Sequence, residues 1–224
     1  MNLNKKLSDI LDPNKIEVVK NPIEKAHGLP NECYLNNDYL EFEKEKIFKN
    51  NWTMIGVASS VPNPGDAKPF NLLGIPILIV RNKENEVKVF HNVCSHRGFK
   101  LVDQECKLKN VIRCPYHSWS YDFNGKLTVT PHIGGLGKHE VEGFDKNNSN
   151  LKEIKSNIWM DLIFININSN AKPFEDFIKP LEDRWSKFIN KKDQKLIRHS
   201  SDNGYFNMTV NSNWKFAIEN YCES

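Results

Sequence analysis

Two short clusters, Cys94-Ser95-His96 and Cys114-Pro115-Tyr116-His117, constrain this chain more than any other feature. Each offers one thiolate and one imidazole, so two separate loops must meet in space if the four side chains are to share metal. One arrangement puts both cysteines on one iron and both histidines on a second. The rival closes a tetrahedron around a single zinc. Zinc fingers usually pair like with like, two cysteines close together and then two histidines, whereas each cluster here mixes the types, which favours the binuclear reading. Tyr116 and Trp119 crowd the second cluster, as suits a cofactor that must be shielded from water.

The strings HNVCSHRGFKLV (91–102) and RCPYHSWSYDFNGKL (113–127) resemble the Rieske domain of the ring-hydroxylating, Rieske non-haem iron oxygenases of the large (alpha) subunit type. The resemblance implies a [2Fe–2S] cluster with Cys94, His96, Cys114 and His117 as its iron ligands. Neutral imidazole in place of two further thiolates makes such a cluster less anionic and easier to reduce. Respiratory Rieske proteins carry one more cysteine in each loop, joined as a disulfide. Phe99 and Tyr116 stand at those places here and Arg97 follows the first histidine, which points to the low-potential oxygenase or ferredoxin branch.

Residues 213–224, NWKFAIENYCES, are similar to the NWK…EN…(D/E) segment that leads into the mononuclear iron site of these oxygenases. The resemblance implies that the carboxylate of Glu223 bridges toward a cluster histidine of the neighbouring subunit. It also implies that two iron-binding histidines, and later a carboxylate, follow Ser224. His27, His91, His132, His139 and His199 assemble no convincing substitute for that set. In the family, a ferredoxin or flavin reductase supplies electrons to the cluster, and a mononuclear Fe(II) uses them with O₂ to hydroxylate or demethylate a small-molecule substrate, in homotrimers or multiples of them. This chain is therefore expected to be the electron-accepting part of an O₂-dependent oxygenase, inactive toward substrate by itself. A stand-alone Rieske-type electron-transfer protein and an inactive structural partner are the alternatives.

The sequence of 224 residues, 39% hydrophobic and 26% charged, suits a soluble globular protein with a sizeable core. A formal charge of +3 is too small to argue for nucleic acid. No apolar run reaches membrane-spanning length and MNLNKKLSDILDPNK lacks the apolar core of a signal peptide, so a cytoplasmic protein without a membrane partner is expected. Cys33, Cys106 and Cys222 form an odd, irregular set that reads as free thiols, with Cys106 a packing residue.

The expected architecture is an all-β Rieske iron–sulfur domain over 49–168, preceded by a segment and helix over 1–48. Residues 169–224 are expected to open an α+β catalytic domain of the helix-grip type. The helix should start at Asp38, with Glu41 completing a capping box. Two hairpins are predicted, 76–81 with 86–91 and 118–123 with 126–129, the second turning at Asn124-Gly125. Asn157–Ile167 reads as one long strand. The glycine-rich loop 131–145 lacks the context of a phosphate-binding loop, and its His132 and His139 stay unassigned. Phe174, Phe177, Ile178, Leu181, Trp185, Phe188 and Ile189 recur at helical spacing, with Pro180 as a kink or the start of a second helix. Residues 205–210 alternate like a strand. Trp214, Ala217, Ile218 and Tyr221 then form an apolar helical stripe, and by spacing alone Glu223 would be a solvated carboxylate.

Overall fold

The structure, a computed structural model, describes residues 7–199 and 208–222. They fall into two compact units, one built from the described residues up to Lys49 with 208–222, the other running from Asn50 to residue 199.

The first unit begins with helices α1 (Pro13–Val19), α2 (Glu32–Leu35) and α3 (Asn37–Glu43), and a π turn (Lys44–Phe48) continues α3. The expected helix at Asp38 forms, but its cap is Asn36, whose side chain accepts from the backbone N–H of Asp38 and Tyr39. An Asn with extended backbone satisfies two of the helix's orphan donors, so the capping box is not needed.

The second unit carries ten strands among the described residues: β1 (Thr53–Val57), β2 (Asp66–Leu72), β3 (Ile75–Arg81), β4 (Val87–His91), β5 (Cys106–Lys107), β6 (Ile112–Arg113), β7 (Ser120–Tyr121), β8 (Leu127–Val129), β9 (Lys155–Trp159) and β10 (Leu162–Asn166). They pair antiparallel in three sheets, β1-β10-β9, β4-β3-β2-β5 and β6-β7-β8. Strand β3, IPILIVR, shows how one apolar run serves two cores. Side chains alternate across a strand, so Leu78 and Val80 join the core around Phe90, Cys94, Cys114 and Tyr121, while Ile77 and Ile79 join the core around Val89, Ile154, Ile163 and Ile165.

The first predicted hairpin is present as β3–β4, its turn closed by Asn82, whose side chain accepts from the Glu86 N–H at 2.6 Å. The second is present as β7–β8 with shorter strands and a register shift at Ser120/Tyr121. Its Gly125 has φ +81°, and a Cβ there would lie 2.5 Å from a ring carbon of buried Phe90. Gly125→Ala is therefore expected to cost about 2–4 kcal/mol, strain at positive φ adding to overpacking, measurable as a lower denaturant midpoint.

The single strand expected over 157–167 is two, β9 and β10, turning at Met160-Asp161 with φ of 48° and 70°. Buried Asp161 holds this turn without glycine. Its carboxylate accepts from the Ser59 N–H at 3.0 Å, the Ser59 hydroxyl at 2.5 Å and the His199 N–H at 2.8 Å. Helices α4 (Phe174–Trp185) and α5 (Lys191–Gln194) follow. Pro180 does not begin a second helix, since α4 runs through it; it lies on the exposed side, whereas Phe174 and Ile178 are buried beside Trp52 and Phe164. The later half of the predicted stripe is not buried, since Leu181, Trp185 and Phe188 are exposed.

Met208–Val210 belong to no strand, and 205–207 lie outside the described residues. The terminal helix α6 (Trp214–Cys222) forms as predicted, but Ile218 and Tyr221 are exposed and Lys215 is its buried residue. Among the described residues no helix is long and apolar enough to cross a membrane.

Candidate iron–sulfur site

Two loops built alike present the four candidate ligands. In the loop after β4, the Cys94 N–H bonds the Phe99 carbonyl at 2.8 Å and the Gly98 N–H bonds the Cys94 carbonyl at 2.9 Å. In the loop between β6 and β7, the Cys114 N–H bonds the Trp119 carbonyl at 2.8 Å and the Ser118 N–H bonds the Cys114 carbonyl at 3.0 Å. The residue four places after each cysteine, Gly98 or Ser118, takes a positive φ, so one tight knuckle occurs twice. Asn92, fully buried, braces the first. Its side chain accepts from the Leu101 and Val102 N–H groups at 3.2 and 3.0 Å and donates to the Val102 carbonyl at 2.7 Å.

Cys94 and Cys114 are both buried, in one and the same core cluster. His96 and His117 are half-buried, with ring centroids 5.0 Å apart. Sulfur donors therefore lie in the core and imidazoles at its rim. Trp119 stacks on His96 with centroids 4.5 Å apart and planes within 7°, and Phe144 meets Trp119 edge-on. Tyr116 lies 3.8 Å from the His117 ring and touches Phe99 at 5.5 Å, so the tips of the two loops meet through aromatic rings.

Tyr121 accepts from the Ser95 N–H at 3.1 Å, which leaves its own hydroxyl hydrogen for Cys94 Sγ at 3.2 Å. Burial, then the contact with Cys94, pushes the phenol far above its usual range, so it stays a donor. Burial also raises the Cys94 thiol, against the Tyr121 bond, and lowers His96, with His117 and Arg97 adding to that effect. A neutral imidazole is the form with a lone pair for metal.

The donor set fits a [2Fe–2S] cluster. His117 Nδ1 is buried without a hydrogen-bond partner, as a nitrogen meant for metal would be. Among the described residues no three His, Cys, Asp or Glu side chains converge on one metal-ion position. A thiol pair beside an imidazole pair suits two irons taking two protein ligands each better than one tetrahedral zinc.

The remaining candidates fall elsewhere. Glu223 lies outside the described residues. All three remaining cysteines are free thiols, but Cys106 is exposed on edge strand β5 rather than a packing residue, because its partner β2 covers only one side of it. His132 and His139 sit 5.1 Å apart, and each Nδ1 accepts a backbone N–H, Gly137 for the first and His132 for the second, so they shape their loop. Sequence reasoning missed Asn92 and Tyr121. A polar residue interrupting the apolar end of β4 was the available signal for Asn92, and nothing local marked Tyr121.

The Rieske [2Fe–2S] domain family matches residues 51–141, which contain both clusters. The chain is 33% identical over 199 residues to the carnitine monooxygenase oxygenase subunit of Acinetobacter pittii (strain PHEA-2), covering 88% of this chain and 51% of that protein. It is 28% identical over 196 residues to the glycine betaine monooxygenase oxygenase subunit of Pseudomonas aeruginosa (strain UCBPP-PA14), covering 87% and 42%. A solved quaternary ammonium Rieske monooxygenase, described in terms of carnitine oxidation by gut microbiota and inter-subunit electron transfer, is similar with a TM-score of 0.74 and 31% identity, over 88% of this chain and 51% of that one. The chain thus spans about half the length of the curated relatives it matches.

Proposed function

We propose that the chain, which carries a Rieske [2Fe–2S] domain, belongs to the Rieske non-haem iron oxygenases of the alpha-subunit type and is the electron-accepting part of an O₂-dependent oxygenase. Cys94, Cys114, His96 and His117 hold the cluster. The observation that carries this reading is the buried thiol pair beside two half-buried imidazoles, one with an unpartnered Nδ1. When bound, the cluster supplies storage for one electron at a time. The chain's own groups do the rest: Tyr121 donates to the Cys94 sulfur, Trp119 fixes the plane of His96, and Tyr116 roofs His117.

In a complete oxygenase of this kind a ferredoxin or flavin reductase would feed this site, which would pass its electrons on to a mononuclear Fe(II). By the family resemblance Glu223 would be the carboxylate bridge between subunits of a head-to-tail ring, a homotrimer or a multiple of one. The names of the carnitine and glycine betaine relatives support a small quaternary ammonium substrate that is monooxygenated.

Purified protein is expected to be red-brown, to hold about two irons and two acid-labile sulfides, and to give a Rieske-type paramagnetic resonance signal after reduction. Stoichiometric zinc without sulfide would refute the ligation. With reductase, O₂ and carnitine or glycine betaine, the complete enzyme should form a hydroxylated or demethylated product. Reoxidation of the cluster that is indifferent to every such substrate would favour a plain electron carrier.

A further inference from the structure

Lys215, in the NWK motif, is 7% exposed, and the carboxylate of Glu43 that faces it belongs to a residue 2% exposed. Lys215 Nζ lies 2.8 and 2.9 Å from the two Glu43 oxygens, and Trp214 Nε1 donates to one of them at 3.1 Å. The ammonium also sits 5.4, 5.4 and 5.2 Å from the ring centroids of Tyr34, Tyr39 and Trp214. Further along α6, Glu219 accepts the Tyr34 hydroxyl at 2.6 Å and Phe216 stacks on the Tyr34 ring at 4.7 Å. The π turn explains how α3 reaches this helix twice. Its i→i+5 spacing sets Glu43 and Phe48 on one face, and Phe48 meets Trp214 edge-on at 5.0 Å.

Well-packed apolar residues would hold two helices together as well as a buried ion pair does. A charge inside an aromatic box adds direction: it is satisfied at one rotation and one height of α6, and any slip leaves an ammonium and a carboxylate buried and unpaired. We propose that Glu43 and Lys215 are positioning residues for electron delivery, which fix the rotation and height of α6 and so aim the polar side of it that carries Asn220. This rests on the oxygenase reading above, in which the NWK segment leads to the mononuclear iron.

The test uses the complete, cluster-loaded protein with Glu43→Gln, Lys215→Met and the double variant. Each single variant leaves one buried charge unpaired and should lower the thermal midpoint. The double variant has no buried charge, so its midpoint should recover, and its iron content and Rieske resonance should match wild type. Its substrate-dependent cluster reoxidation in a single turnover should nonetheless slow about tenfold, with less product per O₂ consumed. Hydrogen exchange along 214–222 reads the same claim without turnover and should quicken about tenfold in the double variant. A double variant with wild-type reoxidation or wild-type exchange protection overturns the proposal. A wild-type protein that never couples reoxidation to substrate overturns the oxygenase reading instead, and the exchange measurement then decides the positioning claim alone.

Discussion

Replacing His117 by cysteine is expected to lower the reduction potential of the cluster by one hundred to several hundred millivolts, on the order of the gap between Rieske centres and all-cysteine [2Fe–2S] ferredoxins. A thiolate in place of neutral imidazole adds a full negative charge at the iron that would take up the electron, and in a partly desolvated site that charge is poorly screened. The position suits the exchange. The His117 ring is half-buried under Tyr116, and its Nδ1 has no other hydrogen bond to lose. Titration followed by paramagnetic resonance measures the shift directly. A potential unchanged or raised would show that His117 is not a ligand, and the same variant should keep its two irons if it is.

Asn92→Ala is expected to destabilise the cluster domain by about 3–5 kcal/mol and to strip it of iron, a large share of a typical domain's stability. One amide serves three backbone groups, the Leu101 and Val102 N–H and the Val102 carbonyl, all in the interior. Its removal leaves those groups unpaired where water cannot replace it, at about 1–3 kcal/mol each before relaxation. Asn92→Asp keeps the acceptor but, when ionised, sets a buried carboxylate against the Val102 carbonyl, so it too should destabilise, and more as the pH rises. Denaturant unfolding and iron analysis check both variants. A loss under about 1 kcal/mol with full iron would mean the knuckle holds itself.

The candidate ligands could be read from the chain because metal chemistry demands rare residue types at fixed offsets, and the hairpin of β3 and β4 because two apolar runs flank a polar turn. What escaped depends on partners far along the sequence. Met160-Asp161 carries no glycine, and its turn is held by Ser59, 102 residues away. Lys215 looks like the solvated edge of an amphipathic helix until its carboxylate, 172 residues upstream, is in place. The capping error at Asp38 is of another kind: Asn36 and Asp38 are both good caps, and only the backbone bend at Asn36 separates them.

The knuckles, with sulfur inside and imidazole outside, give the site a single doorway. The thiols are buried and the imidazoles half-buried, so in the proposed oxygenase an electron entering or leaving would cross the rim at His96 and His117. These two rings are separate landings, one walled by Trp119 and one roofed by the exposed Tyr116. A donor and an acceptor that choose the same landing must queue, and turnover is then paced by how quickly the first leaves. If they choose different ones they can dock together, and the few ångströms between two imidazoles decide whether the protein works as a turnstile or as a corridor.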